Sequence, residues 1–235
     1  MALNFSVPSY LYIGINMMED FSKKYAPKTI DEIVFKSINE QQQIMDIVNG
    51  KVSFPNTKCG ILLYGTWGTG KSQLAKLLPD AIELNKTGCS SNYYYNKIGS
   101  GNDGVRVVTT IEQLASYIPV LASQHYIVLD EVDRLKPDVM LSLKQVLNMP
   151  NCVFILTTNN LSAIDKGVLS RCVRIDFNAA PDIAWLPKVK QILTDYGVSR
   201  TDEELLKAIA LCRGDAREIL YTAQRIVVND LAKAA

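Results

Sequence analysis

The segment Gly65-Thr66-Trp67-Gly68-Thr69-Gly70-Lys71-Ser72 sets the tightest bound on what this chain can fold into. It satisfies the phosphate-binding loop pattern GxxxxGK[ST] at every fixed position. The apolar run Ile61–Tyr64 before it predicts a buried strand, and Gln73–Leu78 after it predicts a short helix that Pro79 ends. Strand, glycine loop and helix in that order form one repeat of a parallel α/β sheet. Glycines let such a loop wrap so that its N–H groups face phosphate oxygens, and the helix N-terminus adds positive potential there. The pattern assigns Gly65, Thr66, Trp67, Gly68, Thr69 and Gly70 to the cradle. It assigns Lys71 to the β- and γ-phosphates and the Ser72 hydroxyl to magnesium. The implied ligand is a nucleoside triphosphate with Mg2+.

A chain of 235 residues has room for one large domain, or a medium domain with a small one. Its net charge of +1 gives no global basic field, so any nucleic-acid contact needs a local patch. The 5 cysteines are scattered without a CxxC pair, which reads as reduced thiols in a cytosolic compartment rather than a disulfide frame. His125 is the single histidine, and no cysteines have zinc-ligand spacing. It precedes an apolar run and reads as a structural residue at a strand edge. Val7–Met18 is mostly apolar but lacks a basic leader and a small-residue cleavage site. Leu114–Ala122 is too short for a membrane span and is broken by Pro119. The composition therefore predicts a cytoplasmic protein with no membrane partner.

Apolar strands alternate with amphipathic segments from residue 20 to 178, the signature of an α/β sheet flanked by helices. Expected strands are Gly60–Tyr64, Ala81–Leu84, Tyr126–Leu129, Val153–Thr157 and Val173–Phe177. Gly88–Gly104, rich in Ser, Asn and Gly around Tyr93-Tyr94-Tyr95, predicts a loop or insertion whose tyrosines either pack locally or stack on bases. Beyond Pro181 only helical spacing remains. Pro187 suits a first turn, Thr201 with Glu204 forms a capping box, Gly214 stops a helix and Asp215 caps the next. The expected organisation is an extension over residues 1–20, an α/β domain over 21–178 and a small all-helical lid over 179–235.

Further polar residues fall at strand ends. Tyr126–Leu129 runs into Asp130-Glu131-Val132-Asp133: a carboxylate at that tip can hold magnesium through water, which is Asp130, and Glu131 is set to deprotonate an attacking water. Ile155–Thr158 runs into Asn159, whose amide can hold that water or the γ-phosphate, although the same pattern describes an ordinary strand–turn boundary. Arg171 in Ser170-Arg171-Cys172 reads alone as a surface residue. Arg217 in Gly214-Asp215-Ala216-Arg217 either reaches phosphate or pairs within the small domain.

Taken in order, these pieces resemble the AAA+ family, and within it the small subunits of sliding-clamp loaders such as replication factor C and its phage counterparts. Lys24-Tyr25-Ala26-Pro27-Lys28-Thr29-Ile30-Asp31-Glu32-Ile33-Val34 is similar to the clamp-loader opening segment, and Asp130–Leu135, Thr157–Asn160 and Ser170–Cys172 are similar to later family motifs. The resemblance covers about residues 20 to 230. It implies a P-loop ATPase using ATP and Mg2+, with Asn159 as first sensor, Arg217 as second sensor and Arg171 as an arginine finger acting in trans. Tyr25, Pro27, Ile33 and Val34 would line the adenine pocket. The implied partners are neighbouring AAA+ subunits, identical or related, a sliding clamp and primer–template DNA. The implied setting is cytoplasm, nucleus or, for a viral protein, host cytoplasm. Arg106, after Asn102-Asp103-Gly104, lies near where the family's DNA-facing helix begins, though a surface arginine is the default reading.

The sequence also departs from that pattern. Ala26 stands where the family usually has Arg, Trp67 is bulky for its loop, and the 88–104 segment is long. The chain stops where clamp loaders continue into a helical collar domain of roughly a hundred residues. It reads either as a fragment or as a subunit that assembles differently. A helicase loader, a branch-migration motor and a non-hydrolysing nucleotide-binding scaffold are the alternative functions.

Overall fold

A computed structural model describes residues 21–99, 103–120 and 122–234, so the expected extension over residues 1–20 lies outside it. Contacts divide the described chain into two units, Lys28–Ala180 and a second that joins Pro181 onward to the residues up to Pro27. Residues 21–27, which the sequence assigns to the α/β domain, therefore group with the C-terminal helices.

The larger unit is built on a parallel sheet with strand order β2-β3-β4-β1-β5. The strands are β1 Gly60–Tyr64, β2 Tyr93–Lys97, β3 His125–Asp130, β4 Cys152–Thr158 and β5 Cys172–Asp176. Successive residues of a strand face opposite sides. Ile61, Leu63, Val128 and Ile155 turn toward α1 (Ile38–Val48) and α2 (Lys71–Thr87). Leu62, Ile127, Leu129, Phe154 and Leu156 turn toward α3 (Asp103–Ala115), α4 (Pro137–Val146) and α5 (Lys166–Arg171). Burial on both faces demands near-continuous apolar runs, which is why β1, β3 and β4 stand out in the sequence. Because all pairings are parallel, the C-terminal ends of β1, β3 and β4 share one edge, where Tyr64 pairs with Thr158 and Lys97 with Asp130.

Several local expectations are corrected. Ala81–Leu84 is not a strand but part of α2, which runs through Pro79 to Thr87. An interior proline costs about 3 kcal/mol. Leu78 and Ile82, both buried, each return about 1.5–3 kcal/mol by leaving water, so packing outweighs the local rule. Fully buried Glu83 ties the same helix to β3: it accepts from Tyr126 Oη at 2.8 Å, from Ser123 N at 2.7 Å and from Ser123 Oγ at 2.8 Å. The Tyr93-Tyr94-Tyr95 stretch is not loop but the edge strand β2, half-buried and paired only with β3. His125 opens β3, with Nε2 2.8 Å from the Tyr117 carbonyl oxygen.

The helical unit contains α6 (Asp182–Thr194), α7 (Asp202–Leu211) and α8 (Ala216–Ala234). Pro187 lies inside α6 rather than in its first turn; Pro181 is the N-cap, and buried Trp185, Leu186 and Val189 hold the helix through the proline. The Thr201–Glu204 capping box forms on α7, and Asp215 Oδ1 accepts from Arg217 N at 2.8 Å at the start of α8. Residues 21–25 are helical and join this unit through Phe21, whose ring lies 6.0 Å from Tyr196, and Tyr25, whose hydroxyl donates to Asp195 Oδ2 at 2.8 Å. Among the described residues no helix is long and apolar enough to cross a membrane.

Candidate active site

The glycine loop leaves β1 at the C-terminal edge of the sheet and ends as α2 begins. Gly65 has no room for a side chain: a Cβ there would lie 2.5 Å from the Phe177 carbonyl oxygen. Gly70 is required for conformation instead, since it takes φ 96° as the N-cap of α2 and no side chain caps that helix. The loop is anchored to the exit of β5. Thr66 N donates to Asn178 Oδ1 at 2.9 Å, and Thr69 Oγ1 donates to the Phe177 carbonyl at 2.9 Å. Lys71 is buried, with Nζ donating to the Gly65 carbonyl at 3.0 Å and also to that of Thr66. Trp67 is 76% exposed at the loop tip.

Across from the loop, Asp130 ends β3 and is buried. Its Oδ1 accepts from Ser72 Oγ at 2.8 Å and from Thr157 Oγ1; its Oδ2 accepts from Tyr95 Oη at 3.1 Å. The structure thus brings Ser72 and Asp130, the expected metal-holding pair, into direct contact. Glu131 follows in the left-handed region at φ 61°, unusual for a residue with a Cβ, and its backbone N–H donates to Thr157 Oγ1 at 2.9 Å. Its carboxylate pairs with Lys97 Nζ at 3.0 Å and Arg134 Nε at 2.9 Å. Burial, then the charge of Asp130 and its hydrogen bond, push the Tyr95 phenol up to about 12, so it is a proton donor at neutral pH.

Asn159 lies just beyond β4, beside this cluster in sequence. Asp133 holds the turn, accepting from Thr158 Oγ1 at 2.9 Å and from Asn159 N at 3.3 Å. Arg171 lies elsewhere. It ends α5 immediately before β5, and Cys59 N, at the entry to β1, donates to its carbonyl at 3.0 Å. That is the opposite edge of the sheet from the phosphate loop, about 16 Å away along a strand of five residues. The guanidinium is oriented by Asn148 Oδ1, 2.7 Å from Nε, and by the Gly167 carbonyl, 2.9 Å from Nη1.

Arg217 sits in the first turn of α8, in the helical unit. Of the residues expected around adenine, Tyr25 and Pro27 belong to the helical unit and Ile33 and Val34 to the α/β unit. Tyr25 is buried against Phe21, and Ile33 packs into the apolar cluster beneath α1 and α2. Sequence reasoning missed Tyr95, Thr157, Asp133, Lys97, Asn148 and Asn178. Only Thr157 and Asp133, polar residues at the ends of apolar runs, carried a local signal.

The residues present suit magnesium-bound nucleotide. A glycine cradle opens onto an uncapped helix N-terminus, a buried ammonium lies inside it, and a hydroxyl and a carboxylate stand in contact beside it. Hard oxygen donors of this kind are those Mg2+ prefers. A family model, the ATPase family associated with various cellular activities (AAA), matches residues 61–179. The chain belongs to the AAA family of ATPases. It is 30% identical over 217 residues to a replication factor C small subunit of Archaeoglobus fulgidus, an alignment that covers 88% of this chain and 64% of that protein. It is 28% identical to replication factor C small subunit 2 of Pyrobaculum islandicum, covering 86% and 62%, and 24% identical to replication factor C subunit 4 of Caenorhabditis elegans, covering 88% and 62%. The chain thus spans less than two thirds of these relatives' lengths. Among solved structures, C. elegans PCH-2 matches with a TM-score of 0.61 at 19% identity over 92% of this chain and 72% of that one, a likeness of fold.

Proposed function

We propose that this chain is an ATP-driven switch subunit that works beside neighbouring AAA+ subunits to load a ring-shaped clamp onto primer–template DNA. The loop N–H groups and Lys71 hold the phosphates, and Ser72 with Asp130 holds magnesium, Asp130 through water. Held there, magnesium would neutralise charge on the phosphates. Glu131 takes the proton of the attacking water, and Asn159 orients that water. Glu131 must first exchange its contacts with Lys97 and Arg134, so the resting arrangement is a restrained one.

The observation that carries the reading is the position of Arg171. It stands at the far edge of the sheet from its own phosphate loop, beyond the reach of one side chain, and its guanidinium is already oriented. An arginine placed there serves a nucleotide on a neighbouring subunit. Similarity to replication factor C small subunits over most of the chain supports the clamp-loading role. Arg171→Ala is expected to cut DNA- and clamp-stimulated turnover by ~10³-fold or more with ATP binding near normal. Equal loss of ATP binding would show a structural arginine, and stimulation by DNA that needs no clamp would point to a different AAA+ DNA machine.

A further inference from the structure

Tyr95 occupies a position that packing alone does not explain. On β2 it stands in register with Val128 of β3, one step closer to the loop edge of the sheet than Tyr93 on the same face. Its ring lies beneath the Lys76 ammonium of α2, 4.2 Å from the centroid, and its hydroxyl meets Asp130 Oδ2 at 3.1 Å. A phenylalanine would fill the same space and keep the contact with Lys76. Among the described residues, the hydroxyl is used only toward Asp130.

The second oxygen of that carboxylate, Oδ1, already takes the hydroxyls of Ser72 and Thr157. Turning the carboxylate about its side-chain axis would carry both oxygens away from their donors. The Tyr95 hydroxyl therefore adds a restraint at Oδ2 to the two at Oδ1. We propose that Tyr95 is a positioning residue for the metal-holding carboxylate: through Oδ2 it sets the orientation in which Asp130 presents its lone pairs to the magnesium shell, while Lys76 holds the ring in place. The inference rests on the nucleotide and magnesium reading above and extends it to a strand that supplies none of the sequence motifs. Partners that orient a metal ligand typically contribute 10–100-fold to metal affinity.

The test is a Mg2+ titration of binding, on the full chain, of a fluorescent ATP analogue that is not hydrolysed. In Tyr95→Phe the Mg2+ concentration for half-maximal tight binding rises about 10-fold, while affinity measured in chelator is unchanged. Lys76→Met, which keeps the hydroxyl but loosens the ring, moves the Mg2+ midpoint in the same direction by less. A wild-type Mg2+ midpoint in Tyr95→Phe overturns the inference. So does a loss of affinity equal with and without Mg2+, which marks a merely structural tyrosine and would travel with a lowered melting temperature. Wild-type protein whose binding ignores Mg2+ would instead overturn the underlying reading.

Discussion

At the scale of single residues, the site is organised around Asp130 and Glu131, which share Thr157. One hydroxyl donates to the Asp130 carboxylate and accepts the Glu131 amide, so the proposed metal-holding group and the proposed base are set by the same side chain. This predicts different consequences for neighbouring substitutions. Glu131→Gln removes the base and leaves the phosphate and metal contacts, so phosphate release falls by about 10²–10⁴-fold while nucleotide affinity stays within a few-fold of wild type. Phosphate release unchanged in Glu131→Gln would favour a nucleotide-binding scaffold. Asn148 bears on Arg171, the proposed finger, rather than on the nucleotide. Asn148→Ala removes the acceptor at Arg171 Nε, and stimulated turnover is expected to fall about 10–100-fold, less than in Arg171→Ala, with ATP binding unaltered.

Elements explain which parts of this arrangement the sequence announced. The loop, Asp130 and β1, β3 and β4 were legible because their patterns are dictated by contact with phosphate or by burial on both faces. The part of α2 beyond Pro79 and strand β2 were not. Pro79 is a local stop signal that tertiary burial overrules, and Tyr93–Lys97 is an edge strand whose half-buried residues lack both a continuous apolar run and clean alternation. Long-range partners such as Tyr95 and Asn178 have no local signature, since only folding brings them to Asp130 and to the loop. The anchoring of α2 can be measured through Glu83. Burial raises its pKa, but the Ser123 amide and the hydroxyls of Tyr126, Ser123 and Thr87 outweigh that and hold it below the ordinary 4.5. A carboxylate lowered on folding adds stability that is complete above its unfolded pKa and lost as pH falls through the folded one. Glu83→Gln is therefore expected to cost about 2–3 kcal/mol near neutral pH, lowering the melting temperature by about 5–10 °C. The gap between the two proteins narrows as pH drops below about 4.5. A gap independent of pH in thermal melts would show that shape, not charge, anchors the helix.

At the scale of the whole molecule, the sheet separates the phosphate loop from Arg171, the proposed finger. The phosphate loop, Asp130 and Asn159 lie at one edge and Arg171 at the other, a polarity that suits subunits arranged head to tail so that one chain's far edge meets the next chain's loop. An isolated subunit then binds ATP but turns it over slowly. The most direct measurement mixes two defective proteins in the presence of ATP, clamp and primer–template DNA: Lys71→Ala, which retains Arg171 but cannot hold phosphate, and Arg171→Ala, which holds phosphate but lends no guanidinium. The mixture is expected to hydrolyse ATP many-fold faster than either protein alone, because each Lys71→Ala subunit completes the site of an Arg171→Ala neighbour. A mixture no faster than the average of its components, with Arg171→Ala alone turning over at the wild-type rate, would contradict the trans role of Arg171.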